Sequence, residues 1–265
     1  MDLQLTGRRA LVTGGSRGIG LAVADALAAE GVDLVLAARD PDRLRRAAED
    51  LAARHGRRVV GLRVDTADDV SVRTMVAAAT EALGGIDILV NNAAAPGGQA
   101  KPPTLGEITD EAVLADLEVK VLGYLRCARA VAPQMVARGW GRIVNISGLA
   151  ARQTGSTVGS IRNVAVAAMT ANLAAELGRH GVNVTVVHPG LTRTEKTAAI
   201  VAARAAESGA TPDEVERTMA GNAIGRIVDA AEVAVVVAFL ASPRSVAITG
   251  DALAAGGGAL RTIHY

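Results

Sequence analysis

One cysteine, Cys127, stands in 265 residues, which excludes an internal disulfide framework and a multi-thiolate metal site and fits a reducing cytoplasm. Aromatic residues make up 2% of the chain, namely Phe239, Trp140, Tyr124 and Tyr265. That is too few to stack successive bases of a single strand. Charge of one sign is missing as well: 28 Lys and Arg against 27 Asp and Glu leave a formal +1, with no basic stripe for nucleic acid. No apolar run reaches the roughly 18 residues of a membrane span, and residues 1–5 lack the basic flank and apolar stretch of an export signal.

Half of the residues are hydrophobic, enough for a full core. Short β-branched runs at 10–13, 33–37, 59–64, 86–91, 142–146, 183–188 and around 252 alternate with Ala/Leu-rich helical segments. The helices are expected at 18–29, 41–54, 71–83, 111–138, 160–179 and 230–240. This alternation predicts one α/β domain over 1–265: a three-layer, doubly wound parallel sheet of about seven strands with helices on both faces. The segment 195–222 breaks the alternation after a strand's carboxyl end. It reads either as a helical lid over a site or as a solvated surface helix.

After the first strand comes Thr13-Gly14-Gly15-Ser16-Arg17-Gly18-Ile19-Gly20, opening a helix. Glycines there permit a tight turn, close backbone approach to a pyrophosphate and close helix–strand packing; the helix amino end offers unpaired N–H groups. Dinucleotide binding follows. The second strand ends at Ala38-Arg39, where an acidic residue would bond the ribose hydroxyls of NAD and a basic one the 2′-phosphate of NADP. Arg39 and Arg17 together favour NADP(H) over NAD(H), against which Asp40 stands as a partial neutraliser.

The spacing Thr-Gly-x-x-x-Gly-x-Gly resembles that of the short-chain dehydrogenase/reductase family. Asp65, Asn91-Asn92-Ala93-Ala94, Gly141 to Ser147, Pro189 to Thr194 and Thr249-Gly250 look like its later landmarks, in its order. The resemblance implies a Rossmann fold and a cofactor site of Gly14, Ser16, Arg17, Gly18, Ile19, Gly20 and Arg39. It adds Asp65 and Thr66 at the adenine, Asn91 and Ala93 by the adenosine ribose, and Pro189, Gly190, Thr192 and Thr194 at the nicotinamide end. For Asp65 a strand-end cap is the other reading. The resemblance further implies a homodimer or homotetramer built on the two long helices; a chain that only held the cofactor would form a hetero-oligomer with an active relative instead.

The family's Tyr-x-x-x-Lys pair, with a Ser 13 positions before the Tyr and an Asn on the preceding helix, does not recur here. Tyr exchanges the proton, Lys lowers its pKa, Ser bonds the carbonyl and Asn anchors a water relay. Counting from Ser147, Gly148 takes the Ser position, Ile161 the Tyr position, Ala165 the Lys position and Lys120 the Asn position. No tyrosine lies between Tyr124 and Tyr265. Lys120, on the stripe Val113, Leu117, Lys120, Tyr124, Cys127, Val131, either donates a proton in the site or runs along the helix flank to water. Ser147 is a second candidate for a substrate oxygen, or else a strand-end bond. The sequence therefore leaves three readings open for an unknown small-molecule substrate. They are an oxidoreductase with a replaced proton source, a cofactor-holding pseudoenzyme, and a non-redox dehydratase, isomerase or cyclase.

Overall fold

The computed structural model describes residues 1–94, 102–195 and 197–259. Part of the variable loop at 96–104, which sequence reading assigns to the substrate pocket, and Tyr265 lie outside the described residues. The main sheet has the order β3-β2-β1-β4-β5-β6-β9, formed by β1 (Arg9–Thr13), β2 (Asp33–Ala38), β3 (Val59–Arg63), β4 (Ile88–Asn91), β5 (Gly141–Ile146), β6 (Val182–Pro189) and β9 (Ala252–Ala255). Each neighbouring pair is parallel. The order runs outward both ways from β1 and β4, so the strand ends there diverge and open a crevice.

The central strands are buried on both faces, as a parallel sheet covered by helices requires. Side chains alternate between two cores. Ala10, Val12, Leu34, Leu36 and Val90 face α1 (Gly18–Ala29) and α9 (Ala230–Ala241), meeting Val23, Leu27, Val233 and Val237. Leu11, Val35, Leu89 and Ile143 face α3 (Asp69–Leu83) and α5 (Gly123–Arg138), meeting Val72, Met75, Val131 and Met135. Side-chain caps start the helices: Asp40 accepts from the Arg43 amide at the head of α2 (Pro41–His55), and Asp68 from that of Val70 at α3. Gly56 and Gly84 end the same two in the left-handed conformation.

Two departures from the sequence reading bear on function. The long helix expected at 111–138 is three pieces: α4 (Asp110–Leu117), a five-residue π segment (Glu118–Leu122), and α5. The extra residue per turn in the π segment shifts the helical phase. The insertion at 195–222 forms two helices, α7 (Thr197–Ser208) and α8 (Pro212–Ala220). They are flanked by a two-stranded sheet of β7 (Thr192–Arg193) and β8 (Val228–Asp229) that the sequence did not suggest.

Candidate cofactor cleft and active site

Two adjoining clefts open at the carboxyl ends of the strands, sharing Asn92, Ala94 and Thr194. The first, of about 430 Å³, is lined by Gly14, Ser16, Arg17, Gly18, Arg39, Asp65, Thr66, Ala93 and Thr194, and by Arg43 and Glu195. Its floor is a cross-braced turn. The Thr13 hydroxyl accepts from the amides of Asn92 and Ala93, and the Asn92 Nδ2 donates to the carbonyls of Thr13 and Gly14. Gly20 lies beneath this turn, outside the lining; a Cβ there would sit 2.3 Å from the Gly14 oxygen. Its part is close packing of helix on strand.

Whether the turn fits a phosphate can be tested on the structure itself. The Glu195 carboxylate accepts from the Gly18 amide at 3.1 Å, so an anion already sits on the amino end of α1, where unpaired N–H groups favour one. Beyond it stand Arg17, Arg39 and Arg43. Asp40, the expected neutraliser, also lines the cleft: it caps α2, its carboxyl held below the usual range by the backbone N–H of Arg43, and it pairs with the Arg43 side chain at 3.8 Å, so it offsets Arg43 and leaves Arg17 and Arg39 unopposed by it. Asp65 lines the cleft, and its Oδ1 accepts from the Ala67 amide, the strand-end bond of the second reading.

Asn91 needs correction. Its side chain points into the protein, fully buried, donating to Asn145 Oδ1 at 2.9 Å and to the Tyr124 carbonyl. Asn91 and Asn145 are register partners in β4 and β5. The neighbour on the opposite strand face, Asn92, reaches the cleft instead.

The second cleft, of about 650 Å³, holds Ile19, Pro189, Gly190, Thr192 and Thr194 together with Lys120, Ser147 and Gly148. Lys120 does not run to water: it is 4% exposed. Its Nζ donates to the Ser147 carbonyl and to Asn163 Oδ1, each at 3.0 Å. The π segment carries it, and the phase shift turns its side chain inward. Burial, reinforced by the positive charge of Arg162 and opposed by Asp116, lowers its pKa to about 7. Ser147 continues the ladder by donating its amide to the Val187 carbonyl, and its Oγ bonds the Asn163 carbonyl and Oδ1.

Ile161 is 48% exposed, and neither it nor Ala165 lines the cleft. The buried stripe of α6 (Thr157–Leu177) is Gly159, Asn163, Val166, Thr170, and Asn163 meets Lys120 and Ser147. Tyr124 is spent on structure: its hydroxyl donates to the Ile146 carbonyl at 2.9 Å, and complete burial drives its pKa far upward. Burial likewise pushes the Cys127 thiol up to about 12, leaving it unreactive. Sequence reasoning missed Arg43, Arg204 and the anchoring role of Asn92. Only Asn92 had a signal, being polar at a strand end opposite the glycine turn.

A doubly wound sheet whose crevice joins a glycine turn to a polar pocket defines a Rossmann-type protein. The chain belongs to the short-chain dehydrogenase family, whose model matches residues 8–205. Among relatives, the short-chain reductase protein NovJ of Streptomyces niveus is 37% identical over 251 residues, covering 94% of this chain and 92% of its own. L-sorbose reductase of Gluconobacter frateurii, solved with NADPH and L-sorbose, superposes with a TM-score of 0.92 at 32% identity, covering 99% of this chain and all of that one. An NAD+-bound xylitol dehydrogenase superposes at 0.86 with 28% identity, covering 96% and 100%. Among the described residues no helix is long and apolar enough to cross a membrane.

Proposed function

We propose that this chain is an NADP(H)-dependent oxidoreductase acting on a carbonyl compound, with Lys120 in place of a tyrosine as proton source. The observation that carries the reading is Lys120 itself: an ammonium of pKa about 7, buried beside the Pro189–Thr194 turn in the cleft that adjoins the glycine turn. Bound in the paired clefts, NADP(H) would supply or accept a hydride at its nicotinamide. The chain's own part is to bind, orient and move the proton. The Gly14–Gly18 turn holds the pyrophosphate, displacing Glu195; Arg17, Arg39 and Arg43 hold the 2′-phosphate. Asp65 and Thr66 stand at the adenine, Ala93 at the ribose, and Pro189, Gly190, Thr192 and Thr194 at the nicotinamide end. Lys120 Nζ donates a proton to the substrate oxygen and is left neutral, a form that its lowered pKa makes accessible near neutral pH. Asn163 and the Ser147 carbonyl aim it. On this reading the family's four catalytic positions have changed, and two residues still meet in the site from the expected elements, Lys120 and Asn163.

The NADPH-bound sorbose reductase supports the cofactor choice and the NAD+-bound xylitol dehydrogenase limits it, so the choice rests on Arg17 and Arg39. We take the protein to act in the cytoplasm as a homodimer or homotetramer, or paired with an active relative. A second reading, a cofactor-holding pseudoenzyme, is favoured by one observation: Tyr124, the one tyrosine among the described residues, is locked on Ile146. Calorimetric titration with NADPH and NADH comes first, followed by NADPH oxidation with ketones in the wild type and Lys120→Met. NADPH binding at least tenfold tighter than NADH, with turnover lost in the variant, supports the proposal. Binding of neither cofactor overturns it, and binding without turnover of any ketone shifts the reading to the pseudoenzyme.

A further inference from the structure

The charged lining of the second cleft is of one sign. Lys120, Arg162 and Arg204 contribute to it, and no aspartate or glutamate does among the described residues. The three cations are not equivalent. Arg162 is already matched, its Nη1 donating to both carboxylate oxygens of Asp116 at 2.7 and 2.8 Å behind the wall. Lys120 is held by neutral acceptors only. Arg204 projects from α7, and its guanidinium pairs with no described residue. The cleft therefore has a surplus of one full positive charge at Arg204 and a titrating one at Lys120. An arginine fork is suited to a carboxylate, which it grips through two parallel hydrogen bonds.

We infer that the substrate is an oxo acid, its carboxylate taken by Arg204 and its carbonyl oxygen placed at Lys120. This rests on the reading of Lys120 as the proton source. One carboxylate balances the one unmatched guanidinium and leaves the lysine for the reacting oxygen. A phosphate ester would bring a second negative charge that the cleft can meet only by drawing Lys120 away from the carbonyl. Gln153 and Asn222, also in the lining, add neutral polar groups.

The test uses pyruvate, acetoacetate and levulinate, each beside its methyl ester, titrated by saturation-transfer NMR into the whole protein with and without NADPH. The expected result is at least one acid binding about tenfold or more tighter than its ester, the usual worth of a charged hydrogen-bonded pair. Arg204→Gln should abolish the preference and leave ester binding unchanged, and Arg204→Lys should keep part of it. Arg204 is exposed on a helix, so neither variant threatens folding. No acid exceeding its ester, an unchanged preference in Arg204→Gln, or dihydroxyacetone phosphate binding tighter than every acid would each overturn the inference. The same samples titrated with NADPH separate the two claims. NADPH binding without acid preference overturns this inference alone. Acid preference without NADPH binding overturns the cofactor reading and leaves the carboxylate site standing.

Discussion

Replacing Lys120 by Met keeps an unbranched side chain, one atom shorter, and removes the charge, and the consequence for stability can be worked from the structure. The lysine pKa is lowered from 10.5 to about 7 in the folded protein. Below pH 7 both folded and unfolded chains carry the proton, and burial of the ammonium weighs fully against folding. Between about 7 and 10.5 the unfolded chain binds the proton and the folded one does not, so stability rises with pH. Integrated between pH 6 and pH 9, the wild type gains about 2–3 kcal/mol relative to the methionine variant, at a limiting slope of about 1.4 kcal/mol per pH unit. Urea unfolding of both proteins at pH 6, 7, 8 and 9, at one fixed protein concentration, reads this directly as a difference in midpoints at constant m. The methionine protein should gain on the wild type toward acid, offset by a pH-independent loss from the two acceptors it abandons, Ser147 O and Asn163 Oδ1. Parallel curves would refute the reasoning, because a lysine free in water, with a normal pKa, shows no such difference below pH 9.

Three further outcomes are expected. Arg39→Gln should weaken NADPH by about 10- to 100-fold, the worth of one charged hydrogen-bonded pair, and leave NADH within twofold; an equal loss for both cofactors in calorimetry would place Arg39 away from the 2′-phosphate. Glu195→Gln, which removes the anion from the Gly18 amide, should tighten NADPH several-fold at low salt, and unchanged affinity would show that this carboxylate does not compete with phosphate. Tyr124→Phe should cost about 1–2 kcal/mol in urea unfolding through the unpaired Ile146 carbonyl while leaving turnover intact. A collapse in kcat with stability preserved would return Tyr124 to the chemistry.

The sequence disclosed what is decided locally. The glycine turn, the arginine at the tip of β2 and the helix boundaries of α1 depend on neighbours a few residues away, and all were legible. The second cleft depends on phase carried across irregular backbone, which a residue count does not follow. The π segment at Glu118–Leu122 turned Lys120 from a flank to the interior. Asn163, on the buried stripe of α6, meets it there. Asn91 and Asn92 differ by one position and so by one sheet face, which a landmark motif alone does not resolve. Arg204 sits in an insertion whose composition has no chemical signature, and only the folded cleft gives it a role.

That insertion is also mechanically separate. The helices α7 and α8 add little to either core, Val201 and Val215 being their buried apolar residues. Among their ties to the rest of the chain, Arg193 bonds the Asp229 carboxylate at 2.9 Å and pairs with Glu216, and Thr197 Oγ1 accepts from the Thr194 amide. A segment attached in this way can be exchanged between relatives as a cassette: grafting another protein's 197–220 equivalent while keeping Arg193 and an acidic partner would change one wall of the second cleft and leave the folding of the Rossmann body as it was.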